Sequence, residues 1–138
     1  MKTYLAPSTI EGIGLFAGQD IQKGTITWKF APGFDLSFSK EEVGDMPPLT
    51  QQFTKKYSVL SMVSGKYVLC NDDARFTNHS ASPNLESVIV EGEIEKIARA
   101  NREIEKGEEL TIDYRSIDTM DAVSDEEYLA SSSEIHEG

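Results

Sequence analysis

A mostly β fold with a small helical excursion is what this chain of 138 residues predicts. Three observations lead there. Short runs rich in Ile, Val, Phe, Tyr and Thr recur along the chain, separated by Gly, Pro and Asp. Between those runs, residues 39–57 read as helical. The length suits one domain, with enough chain to bury a core but not two.

The strand candidates, in order, are "GIGLFA" (12–17), "TITWKF" (25–30), "KYVLC" (66–70), "ESVIVEG" (86–92), "EKIARA" (95–100) and "ELTIDY" (109–114). Within the insert, Ser39 is placed to cap "KEEVGDM", because Glu42 stands three residues on and completes a capping box. Pro47 and Pro48 then break the chain before a second helical candidate, "LTQQFTKKY". Trp28, Phe30, Phe34, Phe38 and Phe53 read as core or insert packing, and Met62 and Cys70 as buried fillers. Two segments echo each other: "AGQDIQKG" (17–24) and "ANREIEKG" (100–107) share the frame Ala-x-x-Asp/Glu-Ile-x-Lys-Gly. In each, Ile is a core plug and Gly closes a turn at positive φ. Either two strand pairs use one turn design, or the echo is coincidence.

Charge and composition restrict function. Thirteen Lys and Arg against 24 Asp and Glu leave a net charge of −11, which argues against direct binding of nucleic acid. The same sign suits a basic protein or peptide by long-range steering, or simply keeps the chain soluble. No apolar run is long enough to span a bilayer, and the first residues lack the apolar block of a secretory signal. Cys70 is the only cysteine, so neither an intrachain disulfide nor a Cys-rich zinc site can form. A reducing cytoplasm is the expected home. Residues 116–138 form an acidic tail with a possible short helix over 124–130, capped by Ser124, and its last residues read as disordered.

The densest polar segment is "ARFTNHSASPN", residues 74–84. His79 alone reads as structural, and no Ser or Cys stands in a nucleophile elbow. His79 and His136 are too few for a His-based metal site, and "GIG" is too sparse for a phosphate loop.

Taken together, "GIGLFA", "RFTNHSASPN" and "GEELTIDY" (107–114) resemble the signature of the SET domain family, the S-adenosylmethionine-dependent protein-lysine methyltransferases. The resemblance runs from Lys2 to Arg115 and is closest to compact bacterial or stand-alone members, so 1–115 is read as the domain. It implies a β-clip of several small curved sheets in which the Asn-His and terminal Tyr segments cross as a pseudoknot. It also implies S-adenosylmethionine as cofactor, S-adenosylhomocysteine as product, and no metal. By the same resemblance Asn78 and His79 hold the cofactor, together with a first loop of Glu11, Gly12 and Ile13, where a side chain on Gly12 would block close approach. Tyr114 becomes the catalytic residue, its hydroxyl beside the transferred methyl group, orienting the lysine amine rather than acting as a base. Ser80, Asn84 and Arg75 either pin the crossing or touch ligand directly.

Four residues are candidates for the lysine channel: Ile112, Tyr57, Tyr67 and, on the tail, Tyr128. Relatives often close that channel with a Cys-rich zinc knuckle, which this chain cannot build. Ile112 stands two before Tyr114, where relatives often carry Phe or Tyr, and the smaller side chain leaves room for more than one methyl group. The implied function is methyl transfer to the side-chain amine of a protein lysine. The alternative is a catalytically silent SET-fold module that recognises a basic protein partner.

Overall fold

Ten short strands and two short helices are arranged as four small sheets in a computed structural model that describes residues 1–118. The expected helix over 124–130 and Tyr128 lie outside the described residues. Strand β1 (Thr3–Pro7) pairs antiparallel with β2 (Ile13–Ala17). Strands β3 (Ile26–Trp28), β9 (Ile97–Ala100) and β8 (Leu85–Val88) make an antiparallel sheet with β9 in the middle. A second sheet of three sets β6 (Tyr67–Leu69) between β4 (Leu36–Phe38) and β5 (Val59–Leu60). The fourth pairs β7 (Asn78–His79) with β10 (Thr111–Ile112), and this pair is parallel.

The helical insert forms as its sequence directs. Helix α1 (Lys40–Gly44) starts at Ser39, whose Oγ accepts from the Glu42 N–H at 3.0 Å while the Ser39 N–H donates to Glu42 Oε1 at 2.8 Å. That reciprocal pair satisfies two donors the first turn would otherwise leave open. Val43 on this helix is fully buried. Helix α2 (Pro48–Tyr57) begins on a proline, which needs no N–H partner there, and carries Lys55 and Lys56 in its last turn, where positive charge suits the helix dipole.

The two echoing segments bind each other. Ile21 and Ile104 exchange both backbone hydrogen bonds at 2.8 Å, each N–H donating to the other's carbonyl. The Gly24 N–H donates to Ala100 O and the Gly107 N–H to Ala17 O, again at 2.8 Å. The frame is therefore one device used twice in mutual contact, with both glycines at positive φ (89° and 96°) as the turn requires. Ile21 and Ile104 are buried with Leu15, Ala17, Leu85, Ala100, Leu110 and Ile112 in the main core, against which Tyr114 and Ile117 pack. Each fully buried Leu or Ile stabilises the fold by roughly 1.5–3 kcal/mol.

Some expectations shift. Strands β1, β4 and β5 carry no clear alternation and were not foreseen; each is held mainly by its partner strand. The run 109–114 shortens to two strand residues, because β7 offers a partner of only that length. Phe34 and Phe53, expected to pack, are each 54% exposed, and Met62 is also exposed. Phe34 lies in a tight turn, where its N–H donates to Ala31 O, and Phe53 lies on the outer side of α2 against Tyr57.

Candidate active site

The parallel pairing of β7 with β10 brings the two signature segments side by side, Asn78 opposite Thr111 and His79 opposite Ile112. Two residues of ladder are a weak tie, and side chains add the rest. Asn84, buried after the Pro83 turn, donates from Nδ2 to Glu109 O at 2.8 Å and accepts the Thr111 N–H on Oδ1 at 2.9 Å. Its own N–H donates to Thr111 Oγ1 at 3.3 Å. Asn84 is therefore a pin across the junction. The Ser80 side chain acts locally, its Oγ accepting the Ser82 N–H, while its backbone N–H donates across the junction to Ile112 O at 3.1 Å. Arg75 is not a pin: it is exposed, and its guanidinium lies over the Phe76 ring, 5.3 Å from the centroid.

His79 is buried, and its Nδ1 accepts the backbone N–H of Tyr114 at 2.9 Å. An imidazole nitrogen that accepts carries no proton, so the hydrogen bond assigns the proton to Nε2. Asp113 Oδ1 stands 3.8 Å from the same Nδ1, but an accepting nitrogen is no cation, and we read that approach as proximity rather than an ion pair. The His79 and Tyr114 rings also touch, centroids 5.2 Å apart. The Tyr114 hydroxyl donates to Thr77 O at 2.8 Å. His79 and Thr77 thus fix Tyr114 at both ends, backbone and hydroxyl.

Asp113, one residue before Tyr114, feels burial that raises its pKa. The Arg115 guanidinium and N–H, both hydrogen-bonded to it, outweigh that and hold the carboxyl below the usual Asp value.

Asn78 faces the loop between β1 and β2. Its Nδ2 donates to Glu11 O at 3.2 Å and to Glu109 Oε2 at 2.9 Å. Glu109 also takes the Ser8 hydroxyl at 2.8 Å, and Ser8 Oγ in turn accepts the Ile10 N–H. The Ser8 N–H donates to Gly12 O. Glu109 reaches this loop because its backbone lies beside β2, opposite Phe16. A Cβ on Gly14 would collide with that carboxylate, whereas one on Gly12 would meet nothing within 4 Å. Gly12 is therefore required by its φ of +49°, and the space beyond it is open. Glu11, Gly12 and Ile13 are all exposed. Ser8 and Glu109 are the residues that sequence reasoning missed; Glu109 sat inside the quoted signature, but nothing in spacing revealed its reach to the loop.

On the far side of Tyr114 lies a cavity of about 510 Å³, whose wall includes Tyr57, Ser58, Thr77, Ile112 and Tyr114. Asn78, His79 and the residues 11–13 do not line it. Tyr67 does not reach it either, since it pairs on β6 with Phe38 and Leu60. Tyr114 is the one candidate shared by both groups, touching His79 with its ring and forming part of the cavity wall. Thr27 Oγ1, Trp28 Nε1 and Ser58 Oγ, on residues of the same wall, are sealed from water without a hydrogen-bond partner. Among the described residues no group of three His, Cys, Asp or Glu side chains could hold a metal ion.

Known proteins share this fold. Residues 12–115 match the SET domain family model. Human histone-lysine N-methyltransferase 2D is 31% identical over 120 residues, covering 83% of this chain and 2% of that protein. The histone-lysine N-methyltransferase of Schizosaccharomyces pombe named as H3 lysine-4 specific is 30% identical over 133 residues, covering 88% of this chain and 14% of that protein. The chain thus spans a small part of the curated relatives it matches. A crystal structure of a putative histone methyltransferase from Plasmodium falciparum shares the fold, with a TM-score of 0.55 at 21% identity over 82% of this chain and 96% of that one. With the family model covering most of its length and the small sheets of the fold in place, the chain belongs to the SET domain family.

Proposed function

We propose that this protein transfers a methyl group from S-adenosylmethionine to the side-chain amine of a lysine in a protein substrate. The observation that carries the reading is Tyr114, tied to Thr77 O and His79 Nδ1 while forming part of the cavity wall. Its hydroxyl proton is committed to Thr77, so the oxygen keeps lone pairs to accept an N–H from an incoming amine. An amine held by one N–H has its own lone pair directed, which is what an in-line displacement needs.

The cofactor supplies an electrophilic methyl group on a sulfonium. The residues suit it in one respect: the loop 11–13 is exposed, Gly12 leaves space, and Asn78 holds the Glu11 carbonyl in place. Glu11, Gly12, Ile13, Asn78 and His79 are therefore the residues assigned to hold it. A free lysine has a pKa of about 10.4 and must lose its proton first. The buried wall formed by Leu15, Leu110 and Ile112 favours the neutral amine by withholding water. Ile112 also has no hydroxyl with which to hold a water, which leaves room for a second and third methyl group.

The test begins with calorimetric titration of S-adenosylmethionine into the wild type, Asn78→Ala and Tyr114→Phe. Transfer to lysine-containing peptides is then followed by mass spectrometry. The expected pattern is binding that Asn78→Ala weakens, with Tyr114→Phe still binding but transferring at least about a hundredfold more slowly. Product carrying only one methyl group after exhaustive reaction would remove the assignment of Ile112. Failure of the folded wild type to bind the cofactor, or full transfer by Tyr114→Phe, would remove the reading itself.

A further inference from the structure

The cavity beside Tyr114 has a charge pattern opposite to that of the chain. Acids outnumber bases by 24 to 13 overall, yet Lys55, Lys56 and Arg75, all exposed, line its mouth. None of the three forms an ion pair among the described residues. Lys56 Nζ lies instead 5.2 Å from the Tyr57 ring centroid, and Arg75 lies over Phe76. Each of the three therefore keeps its charge available to a ligand.

Deeper in, the sign reverses. Glu95 is only 9% exposed and lines the same cavity. Its Oε1 accepts the Ser61 hydroxyl, and Ser61 Oγ accepts the N–H groups of Val63 and Ser64. No cation among the described residues pairs with Glu95, although buried carboxylates ordinarily have one. The remaining charged groups on the wall are Lys96, which donates to Ser116 O at 3.0 Å, and Asp118, beside Ser61.

We infer that this cavity selects a lysine flanked by acidic residues: Lys55, Lys56 and Arg75 hold the neighbouring carboxylates at the mouth, and Glu95 draws the side chain inward as a cation. That cation gives up its proton only on reaching the apolar wall beside Tyr114. The inference rests on the lysine-substrate reading above and narrows it. The net charge of −11 draws cationic proteins at long range, but within a Debye length of about 8 Å the mouth decides. A lysine side chain fills only part of 510 Å³, which leaves room for the residues beside it.

The test is fluorescence anisotropy with the full chain, saturated with S-adenosylhomocysteine. Three labelled synthetic peptides share one central lysine and differ only in acidic, serine or basic flanks. The acidic peptide is expected to bind about tenfold more tightly than the basic one. Lys55→Gln combined with Lys56→Gln, and separately Arg75→Gln on a different element, should each shrink that ratio, with circular dichroism confirming the fold. Glu95→Gln keeps an acceptor for Ser61, so a purely structural role predicts no change. The inference predicts weaker binding of the central-lysine peptides but not of a norleucine counterpart. Equal or tighter binding of the basic peptide, binding of none of the three, or an unchanged ratio in both mouth variants would overturn the inference. Because binding and not turnover is read, an acidic preference without methyl transfer would sink the methyltransferase reading alone, and transfer with a basic preference would sink this inference alone.

Discussion

Asn84→Ala removes a side chain but costs far more than its size. Asn84 is buried, and its amide satisfies two backbone groups at once, the carbonyl of Glu109 and the N–H of Thr111. Alanine would leave both without a partner, in a site where Thr111 is also buried. An unsatisfied buried group costs roughly 1–3 kcal/mol, so the pair should cost about 2–6 kcal/mol. Domains of this size are stable by only about 5–15 kcal/mol in total. At about 3–4 °C per kcal/mol, the midpoint should fall by roughly 6–24 °C. The assay is thermal and urea denaturation by circular dichroism, with Ser82→Ala as an exposed control on the same turn, expected within about 0.5 kcal/mol. Because Thr111 is the first residue of β10, loosening it should also slacken the hold on Tyr114 and weaken cofactor binding in the surviving fold. A loss of less than about 0.5 kcal/mol would show that the junction between β7 and β10 does not depend on Asn84, and the account of the site would fail with it.

Three further outcomes follow from the same geometry. Gly14→Ala should destabilise more than Gly12→Ala in thermal melts, because its Cβ meets the Glu109 carboxylate, while Gly12→Ala faces only the strain of φ +49°, about 1 kcal/mol. Asp113 has a folded pKa below its unfolded value, so its contribution is present above about pH 3.9 and is lost as pH falls through the folded value. The stability gap between wild type and Asp113→Asn should therefore narrow in acid, and a gap constant from about pH 5 to pH 2 would contradict it. The Cys70 thiol, pushed up to about 12 chiefly by burial, should react with iodoacetamide at about pH 8 roughly a thousandfold more slowly in the native protein than in urea, as followed by mass spectrometry.

Much of this molecule was legible because local chemistry decides it. The Ser39 box needs only a serine and a glutamate at the right separation, and the helix starts where they stand. The two Ala-x-x-Asp/Glu-Ile-x-Lys-Gly segments announced buried Ile and positive-φ Gly, since those roles depend on residue type. Their mutual pairing was not legible, because it joins residues far apart in sequence. The same reason hid Ser8 and Glu109: nothing near either residue says that one hydroxyl and one carboxylate will meet across the domain. Strands β4 and β5 are short enough for their partners, not their composition, to set them. For Arg75 the sequence left a tie across the crossing and a ligand contact both open; its neighbour is the ring of Phe76, which removes the tie alone.

The reciprocal contact between Ile21 and Ile104 joins positions separated by 83 residues (104 minus 21). Closing a loop of that length costs about 4 kcal/mol of chain entropy beyond a constant, before any contact rewards it. Formation of the domain must therefore wait for distant ends to meet, which places it among slower folders than a helical chain of equal size. It also sets a lower limit on size. A chain cut anywhere before Gly107 leaves Ala17 O without its donor, and one cut before Ile104 leaves both backbone groups of Ile21 unpaired inside the core. A nascent chain emerging from the ribosome thus carries a first hairpin whose closing partners, Ile104 and Gly107, arrive only when nearly the whole domain has been made.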